Sequence, residues 1–228
     1  MHSLKSHLLL SATVVALGLV GCKSAPRNVE SPIATATPQA QNTPAPAAKL
    51  PPPTRAEVDE KVRRIFGDAV TVEHGAHPFF IVGDFNGDDS EDLAVIVRPT
   101  AGKLAEVNDD VANWIIQDAD FYSAAQAAQR VVKANDVPPP PRIAAGEQVL
   151  AILHGYGPKG WHNPEARQSY LVKHAAATFL GTSRSNTQQS IRMMHLPAET
   201  DIIQELRQNK KGFLFWTGGA YAWHPSAS

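Results

Sequence analysis

The chain has 228 residues, of which 43% are hydrophobic, and it carries 21 basic and 22 acidic side chains. From Thr54 onward the count is 17 basic against 21 acidic, so the sequence predicts neither nucleic acid nor an anionic membrane surface as a partner. Cys22 is the single cysteine, which excludes a disulfide within the chain.

The first 22 residues have the layout of a secretory signal peptide. Lys5 precedes a mostly apolar run at 8–20, which is shorter than the roughly 20 apolar residues that a membrane-spanning helix needs. The run ends at Leu-Val-Gly-Cys, residues 19–22, which resembles the bacterial lipobox. That resemblance implies a lipid anchor on Cys22, and Lys23 after it implies the outer membrane facing the periplasm. The alternative is an ordinary signal peptide followed by a chance cysteine.

Residues 23–53 contain eight prolines, many alanines and threonines, and no aromatic residue. Such a segment buries too little apolar surface to offset the entropy of ordering it, so we predict a disordered tether with a reach of about 30 Å. All sixteen aromatic residues lie at Phe66 or later. We therefore predict a single globular domain at 54–228.

The first half of this domain begins with a helix signal. Thr54 and Glu57 have capping-box spacing, and apolar residues follow at helical intervals, which predicts a helix at about 55–66. Two short β-like runs come next, at 69–72 and 79–82. Residues 93–97 are continuously apolar, and the last three are β-branched, which is typical of a central strand covered on both faces.

Residues 103–135 are alanine-rich and predict helices. One apolar stripe comprises Val107, Val111, Trp114 and Ile115, and a second lies within 124–132. The prolines at 138–141 then predict an extended connector.

The last third of the chain has the pattern of strands. We predict strands at 148–153, 169–172 and 191–195, whereas 200–208 suits a short helix as well as a strand. The end predicts a β-hairpin of 213–216 and 221–224 with glycines in the turn. The whole pattern predicts an α+β fold with a largely antiparallel sheet, an N-terminal helix, a helical insertion and a C-terminal hairpin.

An acidic loop separates the two predicted strands at 79–82 and 93–97. Counted from Asp84, oxygen-bearing side chains fall at positions 1, 3, 5 and 9, with a backbone carbonyl at position 7; these are Asp84, Asn86, Asp88, Asp92 and the carbonyl of Ser90. Calcium takes six to eight oxygen ligands, and Gly87 allows a sharp turn. Position 12 is Val95 instead of the glutamate of an EF-hand.

Residues 83–96 resemble the calcium loops of FG-GAP and VCBS repeats, in which Asp-x-Asn-Gly-Asp-Gly-x-x-Asp precedes an apolar strand. The resemblance implies a calcium ion held by the four side chains and the Ser90 carbonyl named above. Asp89 stands where the family has glycine, and a single copy does not build a propeller. The alternative is a solvated acidic turn that binds nothing.

Residues 154–168 predict a long surface loop. Aromatic and basic side chains are favoured at contact surfaces, so the candidate recognition residues are Tyr156, Lys159, Trp161, His162 and Arg167. The alternative is that Tyr156 and Trp161 pack back on the sheet.

Other motifs carry less weight. The glycines at 155, 157 and 160 match a dinucleotide fingerprint, but Pro158 and Pro164 oppose the helix that it requires. Residues 181–185 lack the last glycine of a nucleophile elbow. His74 and His77 could begin a zinc site with His154, His174, His195 or His224, but the spacing places no third ligand.

The aromatic residues of the terminal hairpin also allow two interpretations. Trp216, Tyr221 and Trp223 could stack on a sugar, although core packing is the default for such side chains. The sequence therefore favours a lipid-anchored, non-enzymatic protein of the bacterial cell envelope with a structural calcium site. The alternatives are an envelope hydrolase acting on peptidoglycan or another glycan, and a carbohydrate- or protein-binding module.

Overall fold

The computed structural model describes residues 50–76, 78–127, 139–175, 178–184 and 200–226. The predicted signal peptide with Cys22, nearly all of the predicted tether at 23–53, His77 and the strand predicted at 191–195 lie outside these ranges. Pro46–Ser228 forms one compact unit.

The predicted N-terminal helix is present as α1, Arg55–Phe66. The hydroxyl of Thr54 accepts a hydrogen bond from the Glu57 N–H, and the Glu57 carboxylate accepts one from the Thr54 N–H. This capping box satisfies two backbone donors that a helix start otherwise leaves unpaired, a contribution of about 1 kcal/mol. The helix ends at Gly67, whose φ is 61°.

The first sheet has the strand order β1-β3-β5-β6-β4, and β2 also pairs with β3. Its strands are β1 Val70–Val72, β2 Phe80–Gly83, β3 Asp92–Pro99, β4 Ile115–Asp118, β5 Val149–Leu153 and β6 Ser169–Lys173. All of its pairs are antiparallel except β4 with β6. The short helices α2, Leu104–Val107, and α3, Ala119–Ala127, flank β4 in the chain.

The second sheet is a four-stranded antiparallel meander with the order β10-β9-β8-β7. Its strands are β7 Thr178–Arg184, β8 Asp201–Arg207, β9 Lys210–Trp216 and β10 Tyr221–Pro225. The fold is therefore α+β with mostly β structure, which confirms the predicted class and the C-terminal hairpin.

Strand β3 lies between two hydrophobic cores, because successive side chains of a strand point to opposite faces. Leu93, Val95 and Val97 pack in one core with residues of α1. Ala94 and Ile96 pack in another with residues of β8 and β9. The first sheet is thus covered by α1 on one face and by the second sheet on the other, as the apolar run at 93–97 predicted.

The helical interpretation of 103–135 is wrong in part. The chain leaves α2 after Val107 and enters β4, whose Ile115 pairs in parallel with Tyr170 of β6. Val111 is 85% exposed, so the stripe that included it faces no common core. Helical spacing alone could not reveal this, because an edge strand is stabilised by a partner about 55 residues later in the chain.

Strand pairing also decides two weaker cases. The segment at 200–208, for which the sequence left helix and strand open, contains the strand β8, Asp201–Arg207, because β7 and β9 pair with it on both sides. The sequence did not predict β7, whose register shifts between Phe179 and Gly181.

Candidate functional site

The acidic loop is the connection of the β2–β3 hairpin. Gly83 and Asp92 are paired residues at its base. The second sheet holds the loop through Asp201 of β8: the Asp84 N–H donates to the Asp201 carboxylate at 3.0 Å, and the Asp201 N–H donates to the Asp84 carbonyl at 2.7 Å. The loop is therefore anchored to both sheets.

The Asp92 carboxylate is fully buried at the first position of β3. Its Oδ2 accepts hydrogen bonds from the N–H groups of Phe85 at 2.8 Å and Asn86 at 3.2 Å, and its Oδ1 accepts one from the Gly155 N–H at 2.6 Å. Burial raises the pKa of Asp92 to about 8, although the bonds from Gly155 and Phe85 act in the opposite direction. The raised pKa means that the three amide donors do not make up for the water that the Asp92 carboxylate loses on burial.

Asp84 is the second buried carboxylate of the loop. Its Oδ1 accepts from the N–H groups of Gly87 at 2.8 Å and Asp88 at 3.1 Å, and its Oδ2 accepts from the Asp89 N–H at 3.2 Å. Burial raises the pKa of Asp84 in spite of these bonds. In the described ranges, none of the ion pairs includes Asp84, Asp88 or Asp92.

Asn86 and Asp88 occupy the more exposed side of the loop. The Asn86 side-chain amide donates to Asp88 Oδ2 at 3.0 Å, and the Ser90 N–H donates to Asp88 Oδ1 at 2.9 Å. The described acidic side chains of the loop do not bring three carboxylate oxygens within 4.8 Å of one another. The carboxylates of the predicted ligand set therefore do not converge on one close point in this conformation.

The loop at 154–168 packs directly on the acidic loop. The Trp161 N–H donates to the Glu91 carbonyl at 2.7 Å, and the Ser90 hydroxyl donates to the Gly157 carbonyl at 3.2 Å. A Cβ added at Gly155 would lie 2.9 Å from the backbone of Gly160 and closer still to the Glu91 carbonyl oxygen. Gly155 and Gly160, two of the three glycines that match a dinucleotide fingerprint, thus serve the close packing of two loops at Glu91.

Trp161 is buried, with an exposed fraction of 1%. Its indole N–H donates to the Glu91 carboxylate at 3.2 Å, and its ring stacks on His162 at 3.7 Å between centroids. The prediction that Trp161 belongs to a surface recognition loop is wrong, because the 3₁₀ segment Gly157–His162 turns it into the core below α1. Tyr156, Lys159 and Arg167 are exposed, and His162 is partly so.

His154 is buried and directly follows the last residue of β5, at the start of this loop. Its Nε2 lies 2.7 Å from the Tyr221 hydroxyl, and the rings of Tyr170 and Trp216 lie about it at 5.0 and 5.1 Å between centroids. Burial lowers the pKa of His154 to about 4. Tyr221 is buried in the core between the sheets, which is the packing role expected by default for the hairpin aromatic residues.

The sequence interpretation missed a second cluster of possible metal ligands. Asp118, Asp120 and His174 each offer one ligand atom, and these atoms lie within 4.8 Å of one another. The zinc site considered from the sequence began instead at His74 and His77. His74 pairs with the single carboxylate of Asp59 at 3.1 Å. Asp118 ends β4, Asp120 lies in α3 and His174 follows β6, so no spacing in the sequence could identify the cluster.

Comparison with known proteins adds no assignment. The chain matches no protein-family model, no curated protein and no solved structure. Within the described ranges, none of the helices combines the length and apolar character needed to cross a bilayer.

Proposed function

We propose that this protein is a lipid-anchored protein of the bacterial cell envelope, that its loop at 84–92 binds a structural calcium ion, and that it catalyses no reaction. The observation that carries the proposal is the burial of Asp84 and Asp92 together, with amide donors but no cationic side chain paired with them among the described residues. The calcium loop resembles those of FG-GAP and VCBS repeats.

Electrostatics favours a cation at this position. Asp88 adds a third carboxylate, and its charge and that of Asp84 both raise the pKa of Asp92. Two unit charges about 4 Å apart repel by about 1 to 4 kcal/mol, depending on how much water screens them. Amide N–H groups offset only part of this repulsion, whereas a divalent ion between the carboxylates reverses its sign.

The ligand chemistry favours calcium over transition metals. The predicted set contains only oxygen atoms, from three carboxylates, one side-chain amide and one backbone carbonyl, and hard cations prefer such ligands. Asp89 has a φ of 62°, which is the left-handed conformation that the family supplies with glycine at this position. Aspartate tolerates this conformation better than most residues.

A structural role agrees with where the loop lies. The loop connects β2 to the central strand β3 and holds the segment at 155–161 through Asp92 and Glu91. The nearby titratable side chains His154 and Tyr221 are buried and bonded to each other. His154 and Tyr221 therefore do not line an open cleft. A cation at the loop would stabilise the junction between the two sheets.

The test is calorimetric titration of the chelator-treated, full-length chain with calcium. We expect one site, and at a concentration a hundred times the dissociation constant a stabilisation of about 2.7 kcal/mol, or an increase in melting temperature of about 5 to 10 °C. The double variant Asp84→Ala/Asp88→Ala should lose both effects. The matched control Asp109→Ala/Asp110→Ala removes two charges from another exposed turn and should keep them. Absence of binding by the wild type at millimolar calcium would overturn the proposal.

A second candidate is a binding module for protein or carbohydrate. It rests on the exposure of Tyr156, Lys159 and Arg167 in the loop at 154–168, whose Gly157 carbonyl accepts a hydrogen bond from the Ser90 hydroxyl. Chemical-shift mapping with peptidoglycan fragments would test the carbohydrate-binding form of this candidate. Shifts confined to residues 156–167 would support a glycan-binding surface, and the absence of shifts would argue against such a surface.

A further inference from the structure

The cluster of Asp118, Asp120 and His174 lies where two parallel strands end. Strands β4 and β6 pair in parallel with Asp118 opposite Lys173, so Asp118 and His174, the first residue after β6, lie at the same end of the sheet. Helix α3 begins directly after Asp118 and carries Asp120 in its first turn. The parallel pair is thus what brings the three side chains together.

The distances within the cluster suit a small divalent ion. The His174 Nδ1 lies 2.8 Å from Asp118 Oδ1 and 3.5 Å from Asp120 Oδ2. Zinc binds imidazole nitrogen and carboxylate oxygen at about 2.0 to 2.2 Å, which separates neighbouring ligand atoms by about 3 Å. The two distances from the imidazole nitrogen therefore bracket this spacing, and all three possible ligand atoms lie within 4.8 Å of one another.

Neighbouring groups hold both carboxylates in place. The Asp120 N–H donates to Asp118 Oδ1 at 3.0 Å. Arg207 of β8 pairs with Asp120 Oδ1, while Oδ2 of the same carboxylate faces His174. The Arg207 guanidinium in turn lies over the Trp223 ring, 4.8 Å from its centroid. Partners of this kind orient metal ligands and strengthen binding in known sites.

The charge of the cluster also favours a cation. Two carboxylates and one guanidinium leave a net charge of −1 when the imidazole is neutral. A divalent ion binds neutral imidazole and offsets that charge, whereas without an ion the Nδ1 of His174 makes a hydrogen bond to the Asp118 carboxylate. These two arrangements differ in a measurable way, because only the first binds metal.

We propose that Asp118, Asp120 and His174 form a binding site for a divalent first-row transition metal, represented by Zn²⁺. One imidazole nitrogen with two carboxylate oxygens suits zinc, whereas calcium prefers an all-oxygen set. The side chains are 27%, 48% and 46% exposed, so water completes the coordination. The site shares no ligand with the calcium loop.

The test is calorimetric titration of the chelator-treated, full-length chain with zinc chloride. We expect one binding event that weakens at least 100-fold in His174→Asn and at least 10-fold in Asp120→Asn. Asparagine suits position 174 because it tolerates the left-handed backbone there, where φ is 58°. Thermal unfolding monitored by circular dichroism verifies that each variant is folded.

Two controls separate this site from others. His74→Asn removes a histidine that pairs with a single carboxylate, and it should bind zinc like the wild type. Asp84→Ala/Asp88→Ala should also bind zinc like the wild type, so failure of the calcium proposal leaves this one intact. Absence of zinc binding at micromolar concentration, or full retention of binding in His174→Asn, would overturn the zinc site.

Discussion

Substitution of Gly155 by alanine tests the close packing of the two loops. The added Cβ would lie 2.9 Å from both the carbonyl carbon and the Cα of Gly160, and closer still to the Glu91 carbonyl oxygen. All of these are backbone atoms, so rotation of a side chain cannot relieve the clash. Relief requires the two loops to separate.

The magnitude follows from what that separation disrupts. Overpacking of this kind costs about 1 to 3 kcal/mol. Movement of Gly155 also weakens the 2.6 Å bond from its N–H to the buried Asp92 carboxyl group. Because the raised pKa of Asp92 leaves this group mostly protonated at neutral pH, the bond contributes about 0.5 to 1.5 kcal/mol. We therefore expect Gly155→Ala to lower the free energy of unfolding by about 2 to 4 kcal/mol.

Urea unfolding followed by tryptophan fluorescence measures this change. Gly75→Ala is the matched control, because a Cβ at Gly75 meets no atom within 4 Å and its φ is not left-handed. It should change the free energy of unfolding by less than about 0.5 kcal/mol. A loss of less than about 1 kcal/mol in Gly155→Ala would refute the argument that the loops are locked together at Glu91.

Three further predictions concern single side chains. Burial lowers the pKa of Lys61 to about 8, so the folded state binds fewer protons than the unfolded state between pH 8 and the ordinary value of 10.5, and stability should rise with pH across that window. In urea unfolding, the free energy of unfolding of the wild type should increase relative to that of Lys61→Met by up to about 3 kcal/mol over this range. A difference between the two proteins that stays constant with pH would contradict the burial of the amine. Asp89→Val should lower the free energy of unfolding by about 1 to 2 kcal/mol because of the left-handed backbone, whereas Asp89→Gly should change it by less than about 1 kcal/mol and retain calcium binding in titrations; equal effects of the two substitutions would argue against the strain. Cys22→Ser should move the full-length chain from the membrane to the soluble fraction of bacterial cells, and its retention in the membrane would count against the lipid anchor.

Several features of the fold follow from local sequence. The capping box at Thr54 specifies the start of α1 within the residues that form it. The run at 93–97 is apolar on both faces of the strand, so it predicts a central position without knowledge of its neighbours. The spacing of acidic residues from Asp84 predicts that alternate side chains of the loop turn inward; Asp84 and Asp92 are buried, whereas Asp88 is exposed.

Other features depend on residues that are distant in the chain. Strand β4 forms because β6 lies beside it, although the local pattern around Val111 resembles a helix. Trp161 is buried because its backbone N–H is hydrogen-bonded to the carbonyl of Glu91, which is distant in the chain. A single sequence does not record which distant elements pair, and side-chain exposure depends on that pairing.

The two candidate metal sites differ in the same way. The acidic loop draws its predicted ligands from nine consecutive residues, so sequence alone determined the hypothesis of a calcium site. The cluster of Asp118, Asp120 and His174 exists only because two parallel strands end side by side. Parallel strands require a long connection between them, and this connection separates ligands in the chain that the tertiary structure brings within 4.8 Å.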